Sequence, residues 1–544
     1  MVAATRVTLY DMAVRVACLL ILAALVAGSV TPAVGAPGAR PAVLTGFVAG
    51  SGADFQALSR TGARAVKLLA DWSAIEPAAG TYRWEELDAA VGAAEKARLS
   101  VALVLAYTPK WASLATGADR RDPAIWSRQP PRRVEDWARF VSSAARRYRG
   151  RVRQWQIWTA LNLPIWRGTA REYFALVSAA RTAARAVDPQ NRIVLSTPHG
   201  ADLISVRRAM LAIPGAFDVI ALNPRGIPPE GLLRPLGTLH DRVFSGGRKP
   251  LWIEWDPRDL GDRASWSAQI VKVMAVAAAA GVERVDLAVE PAAAAPALRA
   301  LSAAVGPRPY VGYLKQGRAL AFIFGAEGPA AVAWSAAGEV PFALGERAIT
   351  VGTEPALIQG LSSAVATRAR ETAGAQGFPL FAPARDFSQA AEVSAQLGRA
   401  NAEEGLYNTP FRSRRNGALE VVQAGGAEAV RTSVARGIVL AYFDVDDTFM
   451  YYVDGRYAVE VRVEVYGASA AGQLGFNLFY DSMADLRFSP WQVVEARDGW
   501  VTHTIRLTDA AFANTWGWDF AINAAGNRHE DLTIRAVTVR KTPR

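Results

Sequence analysis

The chain has 544 residues, too many for one ordinary domain, and is 51% hydrophobic and 20% charged with 16 Trp. Such a composition fills large packed cores and excludes a disordered chain. Its 61 Lys and Arg against 50 Asp and Glu leave a formal charge of +11. That excess fits an anionic partner (an acidic polysaccharide, a membrane surface, nucleic acid) or Arg-rich solvated helix faces, since net charge bears on association rather than fold.

Residues 1–36 read as a targeting segment. Arg15 precedes an apolar run from Val16 to Val26, and small residues follow at Ala33, Val34, Gly35 and Ala36. This is the pattern of a signal peptide, with an h-region short for a membrane span. Pro37 disfavours cleavage just before it, which leaves an uncleaved N-terminal anchor as the alternative. The chain is therefore expected to be secreted, periplasmic or at the cell surface, touching a membrane only through this segment. Cys18 is the sole cysteine, so neither a disulfide nor a Cys metal site is expected. His199, His240, His503 and His529 lack ligand spacing, and no metal or cofactor is expected.

From 42 to 305 eight short apolar runs alternate with helical patterns: VLTGFVAG, ARAVKLLAD, SVALVLAY, VRQWQIW, NRIVLST, FDVIALN, KPLWIEW and VERVDLAV. The alternation predicts an α/β fold, a (β/α)8 TIM barrel whose functional residues follow the strand ends. Residues 306–362 hold short strands and predict a small β-domain packed on the barrel. Residues 363–380 read as a linker. From 381 to 544 period-two alternation predicts a C-terminal β-sandwich.

The segment from Val66 to Ala112 carries W-x-x-I-E-P-x-x-G-x-Y-x-W-x-x-L-D and then Y-T-P-x-W, followed by RRYRGRVRQWQIW, FDVIALNP and KPLWIEW. This ordered string resembles the secreted retaining glycoside hydrolases, nearest the β-xylosidase and endoglycosidase branch. The resemblance implies two carboxylates, an acid/base after strand four and a nucleophile ending strand seven, about 5 Å apart. Residues 155–162, WQIWTALN, keep the frame W-x-I-W-N-E-P-N but put Thr159 and Ala160 at the Asn and Glu positions. Aligned without a gap, strand seven puts Trp255 at the nucleophile position and Glu254 one residue before it. Side chains alternate along a strand, so that register turns Glu254 away from the axis, whereas a one-residue deletion returns it to the site.

Other strand-end acids offer relocated chemistry: Asp71, Asp256 and Glu290, each equally readable as a loop or helix cap. Sugar rings stack on aromatic faces while polar groups take their hydroxyls. On that chemistry the expected carbohydrate contacts are Trp72, Tyr107, Trp111, Trp126, Trp158, Asn162, Trp166, Asn223, Arg225 and Trp255. Arg225 suits an anionic sugar or a loop cap. The expected partner is an oligosaccharide or polysaccharide, neutral or anionic, and not nucleic acid. Three readings follow: a non-catalytic glycan binder, an active glycosidase using Glu254 with Asp71, Asp256 or Glu290, and a structural adaptor.

YFDVDDTFMYYVDGRYAVEVRVEVY, NLFYDS and LTDAAFANTWGWDFAINAAG resemble jelly-roll modules appended to secreted bacterial carbohydrate enzymes. The resemblance implies that Asp509, Asn514 and Asp519 tie the sandwich together. It also implies a sugar platform among Tyr451, Tyr452, Trp491 and Trp516. Asp444, Asp446 and Asp447 form an acidic cluster of the kind that can hold calcium.

Overall fold

A computed structural model describes residues 42–544 other than 163, 245–246, 410–417, 468–473 and 516, so the targeting segment and Trp516 lie outside the described residues. Eight parallel strands close into a barrel: β1 (Leu44–Ala49), β2 (Ala65–Asp71), β3 (Ser100–Ala106), β4 (Gln154–Ile157), β5 (Arg192–His199), β6 (Val219–Asn223), β7 (Leu251–Trp255) and β8 (Arg284–Leu287). Closure comes from β1 pairing β8, Leu44 opposite Arg284. A principal helix follows each strand, with short helical turns in some of the loops: α1 (Phe55–Arg60), α2 (Glu85–Lys96), α3 (Val134–Arg147), α4 (Ala170–Val187), α5 (Leu203–Ala212), α6 (Leu233–Thr238), α7 (Trp266–Ala280) and α8 (Pro291–Ala304).

The helix boundaries follow local chemistry. Thr169 and Glu172 form a reciprocal capping box on α4, and Asp202 accepts from Ser205 to start α5. Gly281 ends α7 at φ 66°, the left-handed conformation glycine adopts freely. Alternation along the strands then divides the side chains. Val66, Leu68 and Ala70 are buried in the core beneath the helices, while Lys67, Leu69 and Asp71 form the opposite face, toward the barrel axis. Gly46 of β1 is required because a side chain there would collide with the Asp286 carboxylate.

Beyond the barrel, β9 (Tyr310–Gln316), β10 (Ala319–Phe324), β11 (Ala330–Ser335) and β14 (Ala356–Ile358) form an antiparallel sheet, and β12 (Val340–Leu344) pairs β13 (Arg347–Val351). The stretch expected as a linker is instead largely a helix, α9 (Ser363–Gln376). It buries Val365, Ala366 and Ala369 against this appendage. Its small apolar residues permit close seating: any side chain at Gly312 of β9 would strike the α9 backbone at Ala369. Alanine spacing of this sort has too weak an amphipathic signature to stand out from a solvated segment.

The C-terminal region is two antiparallel sheets with a core between them that includes Phe443, Val461, Val463, Phe476, Leu478, Phe520 and Val537. Asp519 accepts from the backbone N–H of Val445 and Asn514, and Asp509 accepts from Tyr480 and Arg487, so these acids do tie strands and loops together. Tyr452, Ala511 and Ala513 join the barrel's own core. Salt bridges Arg234–Asp447 (3.0 Å), Arg208–Asp485 (2.6 Å) and Arg242–Asp454 (3.5 Å) border this contact. Tyr451 and Tyr452 are therefore interface residues under Arg234 and Arg242 rather than a sugar platform. The acidic cluster is likewise engaged. Asp444 accepts from Asn514, Asp446 from Thr448 and Tyr407, and Asp447 pairs Arg234. Among the described residues no three metal-ligating side chains come together.

Candidate functional site

The site is decided at β7. Trp252 faces the barrel axis, where the Arg284 guanidinium lies 4.6 Å from its ring, and Glu254 follows two residues later on the same side. Trp255 therefore points outward and is 1% exposed, within the core between strands and helices. This corrects the ungapped register: Glu254, not Trp255, faces the lumen at the end of strand seven. The physical reason is that an aromatic anchor inside the barrel sets the alternation, and the β7–β8 pairing of Glu254 with Asp286 holds it.

Glu254 lies 3.2 Å from the Lys67 ammonium and accepts from Asn223 Nδ2 at 3.4 Å. Lys67 is 1% exposed and equally close, 3.2 Å, to Asp286. Arg284 donates to Asp286 at 2.7 Å and to Gln154 at 3.2 Å. Two cations and two carboxylates thus alternate down the lumen and cancel in formal charge, the condition under which buried ions are tolerated. Only Glu254, with an 18% exposed side chain, reaches the mouth.

Around it the mouth is open but poor in rings. Leu69, next above Lys67 on the inner face of β2, is 45% exposed. Asp71 ends β2 and accepts from Ser73 N (2.9 Å), Ser73 Oγ (2.6 Å) and Ala74 N (3.4 Å), capping the short turn Trp72–Ile75. Burial lifts its carboxyl above the usual range against those hydrogen bonds. Tyr107, held at φ 32°, carries the Arg128 guanidinium 5.1 Å from its ring. Burial raises its hydroxyl pKa, Arg128 opposes the shift, and the negative charges of Asp71 and Glu254 add to it. Asp71, Tyr107, Arg128, Glu254 and Asn223 are thus drawn together.

Opposite, after β4, Ala160 is buried at 2% exposure and offers only a methyl group. Its loop is built from rings. Trp158, at φ 63°, donates to the Ile165 carbonyl (3.0 Å), and Trp166 meets it edge to face at 4.8 Å. The Asn162 side chain accepts from the backbone N–H of His199, so it fastens the loop after β4 to the end of β5. Trp72 donates to Glu76 (2.6 Å) beneath the I-E-P turn, and Trp111 donates to the Glu76 carbonyl (2.8 Å).

Four expected sugar platforms, Trp72, Trp158, Trp166 and Trp255, are accordingly core residues, none more than 4% exposed. Tyr107, Trp111 and Trp126 keep partial exposure. Arg225 is exposed after β6, and Asp256 is clamped by Arg258 through two hydrogen bonds, 2.8 and 2.6 Å. Burial works to raise the Asp256 carboxyl, but Arg258 and then Arg225 carry it below the usual range. Glu290 is exposed at the start of α8, where it is the residue that caps the helix. Lys67 and Leu69 were not foreseen, although one signal was present: Lys67 interrupts the apolar run ARAVKLLAD, and a cation inside a barrel strand requires a carboxylate nearby.

Beside the mouth, a cavity of about 780 Å³ runs between α4 and α5. Trp166, Phe174, Thr197 and Pro198 line it, and the Arg208–Asp485 bridge stands at its rim.

No family model matches the sequence, and no curated protein matches it. Among solved structures, similarity is found to a family 39 glycoside hydrolase from Bacteroides cellulosilyticus, at 13% identity over 59% of this chain and 81% of that one, with a TM-score of 0.47. A glucosidase from Croceicoccus marinus is similar over 93% of this chain and 97% of its own, at 10% identity and a TM-score of 0.40. A GH30 endoxylanase from Clostridium papyrosolvens covers 60% of this chain and 96% of its own, at 14% identity and a TM-score of 0.41. Likeness this distant says nothing of what the chain does; its own closed strand ladder establishes the barrel.

Proposed function

We propose that this protein acts outside the cytoplasm and binds a carbohydrate chain at the C-terminal mouth of its barrel without cleaving it at glycosidase rates. The observation that carries the reading is Ala160, a buried methyl group where the glycosidase resemblance calls for the proton donor. Loss of a general acid forfeits on the order of 10²–10⁴ in rate for an unactivated leaving group. Support for carbohydrate as the ligand comes from the motif string between Val66 and Trp255 and from the open mouth. There Leu69 and Tyr107 offer apolar surface, and Asn223, Arg128 and Glu254 offer hydroxyl partners.

The lumenal Glu254 favours a second reading, a hydrolase in which Glu254 attacks and the half-buried Asp71 supplies the proton. Titration calorimetry with xylo-, cello- and mannooligosaccharides, paired with mass spectrometry of the recovered sugars, separates the two. Binding with intact sugars, retained in Glu254→Gln, supports the binder. Turnover that Glu254→Gln abolishes refutes it and establishes the hydrolase. Absence of any heat across neutral and uronate-containing sugars leaves the adaptor reading.

A further inference from the structure

The contact between barrel and sandwich holds a further cavity, of about 230 Å³, that shares no residue with the barrel mouth. Arg234 and Thr238 of α6 and Arg242 just after it line it from the barrel, and Asp447, Tyr451 and Arg456 line it from the sandwich. Three guanidinia therefore meet around a space bordered by two carboxylates, Asp447 and Asp454, a formal excess of one positive charge.

The three arginines are not equally satisfied. Arg234 has a full partner: its Nε lies 3.0 Å from Asp447, and the Tyr451 ring lies 5.6 Å from its guanidinium. Arg242 does not. Its Nη1 donates to the Tyr451 carbonyl at 3.4 Å, but its Nη2 is buried and makes no hydrogen bond. The Asp454 carboxylate stands 3.5 Å from that Nη2, beyond ordinary hydrogen-bond length. Arg456, exposed at the cavity's edge, adds a like charge. Burial, and then Arg456, hold the Arg242 guanidinium below its ordinary pKa. Neighbouring cations, an unused buried donor and a polar cavity beside them form an arrangement that an oxyanion completes.

Each guanidinium presents a planar fork of N–H donors, which matches one edge of an oxyanion. A flat carboxylate offers two oxygens and fills one fork. A tetrahedral phosphate offers edges in several planes and can take donors from two arginines on different chain segments, with the Thr238 hydroxyl on the barrel side of the same cavity. We propose that this seam is a phosphate-binding site, in which one phosphate group, free or carried as a monoester, bridges Arg242 of the barrel and Arg456 of the sandwich. A phosphate held from both sides favours the docked arrangement by mass action.

The test is titration calorimetry and differential scanning calorimetry of the whole protein with inorganic phosphate, in chloride buffer of matched ionic strength, with glycerol 3-phosphate as a second arm. At about ten times the Kd, phosphate should raise the melting temperature by roughly 3–6 °C. Arg456→Gln, at an exposed position, should weaken phosphate binding about tenfold or more. In chloride alone it should melt no lower than the parent, because it relieves a like-charge contact. Glycerol 3-phosphate binding as tightly as inorganic phosphate assigns the site to a phosphomonoester; inorganic phosphate alone assigns it to the free anion. Three results would each overturn the proposal. One is no heat with either compound. Another is an equal rise in parent and Arg456→Gln, which is the general effect of an excluded salt. The third is an Arg456→Gln protein that melts below the parent in chloride, which would make Arg456 a docking residue rather than an anion ligand. Sugar binding at the barrel mouth is read separately by short-oligosaccharide calorimetry, which Arg456→Gln leaves unchanged.

Discussion

Replacing Lys67 by Met removes the cation between Glu254 and Asp286 with little change in volume. Before substitution the lumen holds Lys67, Arg284, Glu254 and Asp286, formally neutral; afterwards it carries one uncompensated negative charge. Lys67 is 1% exposed and 3.2 Å from both carboxylates, so water cannot replace it. Breaking a buried pair by removing one partner costs about 3–5 kcal/mol. For a unit the size of this barrel, each kcal/mol lowers the melting temperature by roughly 2–4 °C, so a fall of about 10 °C is expected. Glu254→Gln should cost only about 1 kcal/mol, because Lys67 keeps Asp286 and the position is partly open to solvent. The double variant restores neutrality and should be more stable than Lys67→Met alone, a coupling of about 1 kcal/mol or more. Differential scanning calorimetry and urea unfolding measure all three. A Lys67→Met protein that melts within 1–2 °C of the parent, or a Glu254→Gln protein less stable than it, would refute the assignment of Lys67 as the lumenal counter-ion.

Trp166→Ala should act on stability rather than on sugar binding. The ring is 4% exposed against Trp158 and Tyr173, and its removal should cost about 3–5 kcal/mol in urea unfolding. A melting temperature within the error of the parent would return Trp166 to the list of ligand contacts. Stability should also fall as pH rises toward neutrality. Burial, with Asp202 across the interface, pushes the Asp481 carboxyl up to about 7, and burial raises Asp202 as well. These groups bind protons more tightly folded than unfolded. Their contribution is therefore complete below the unfolded value of about 4 and is lost as pH climbs through about 7. Calorimetry between pH 4.5 and 8 should show the sandwich transition falling over that window, with a shallower slope in Asp481→Asn. Equal slopes would remove these acids as the cause.

Much of this molecule was legible in the chain. The eight apolar runs determine the barrel because a parallel strand is buried on both faces and must be apolar along its length. The W-x-I-W frame determines that position 160 lies just after β4, and an alanine side chain there cannot itself give or take a proton. The Trp residues were misread for a reason of physics: local sequence shows that a ring follows a strand, but not which side of the loop it covers. Trp158 and Trp166 turn inward because they complete each other's packing, a contact between loop positions that no periodicity reports. Glu254 was undecidable from β7 alone, since a period of two has two phases and both place an aromatic and an acid side by side. Only the tertiary structure chose the phase. It did so through Trp252, packed between Arg284 and Lys67 inside the barrel, because an indole and two cations can share that lumen only if the next inward residue is the carboxylate that neutralises one of them.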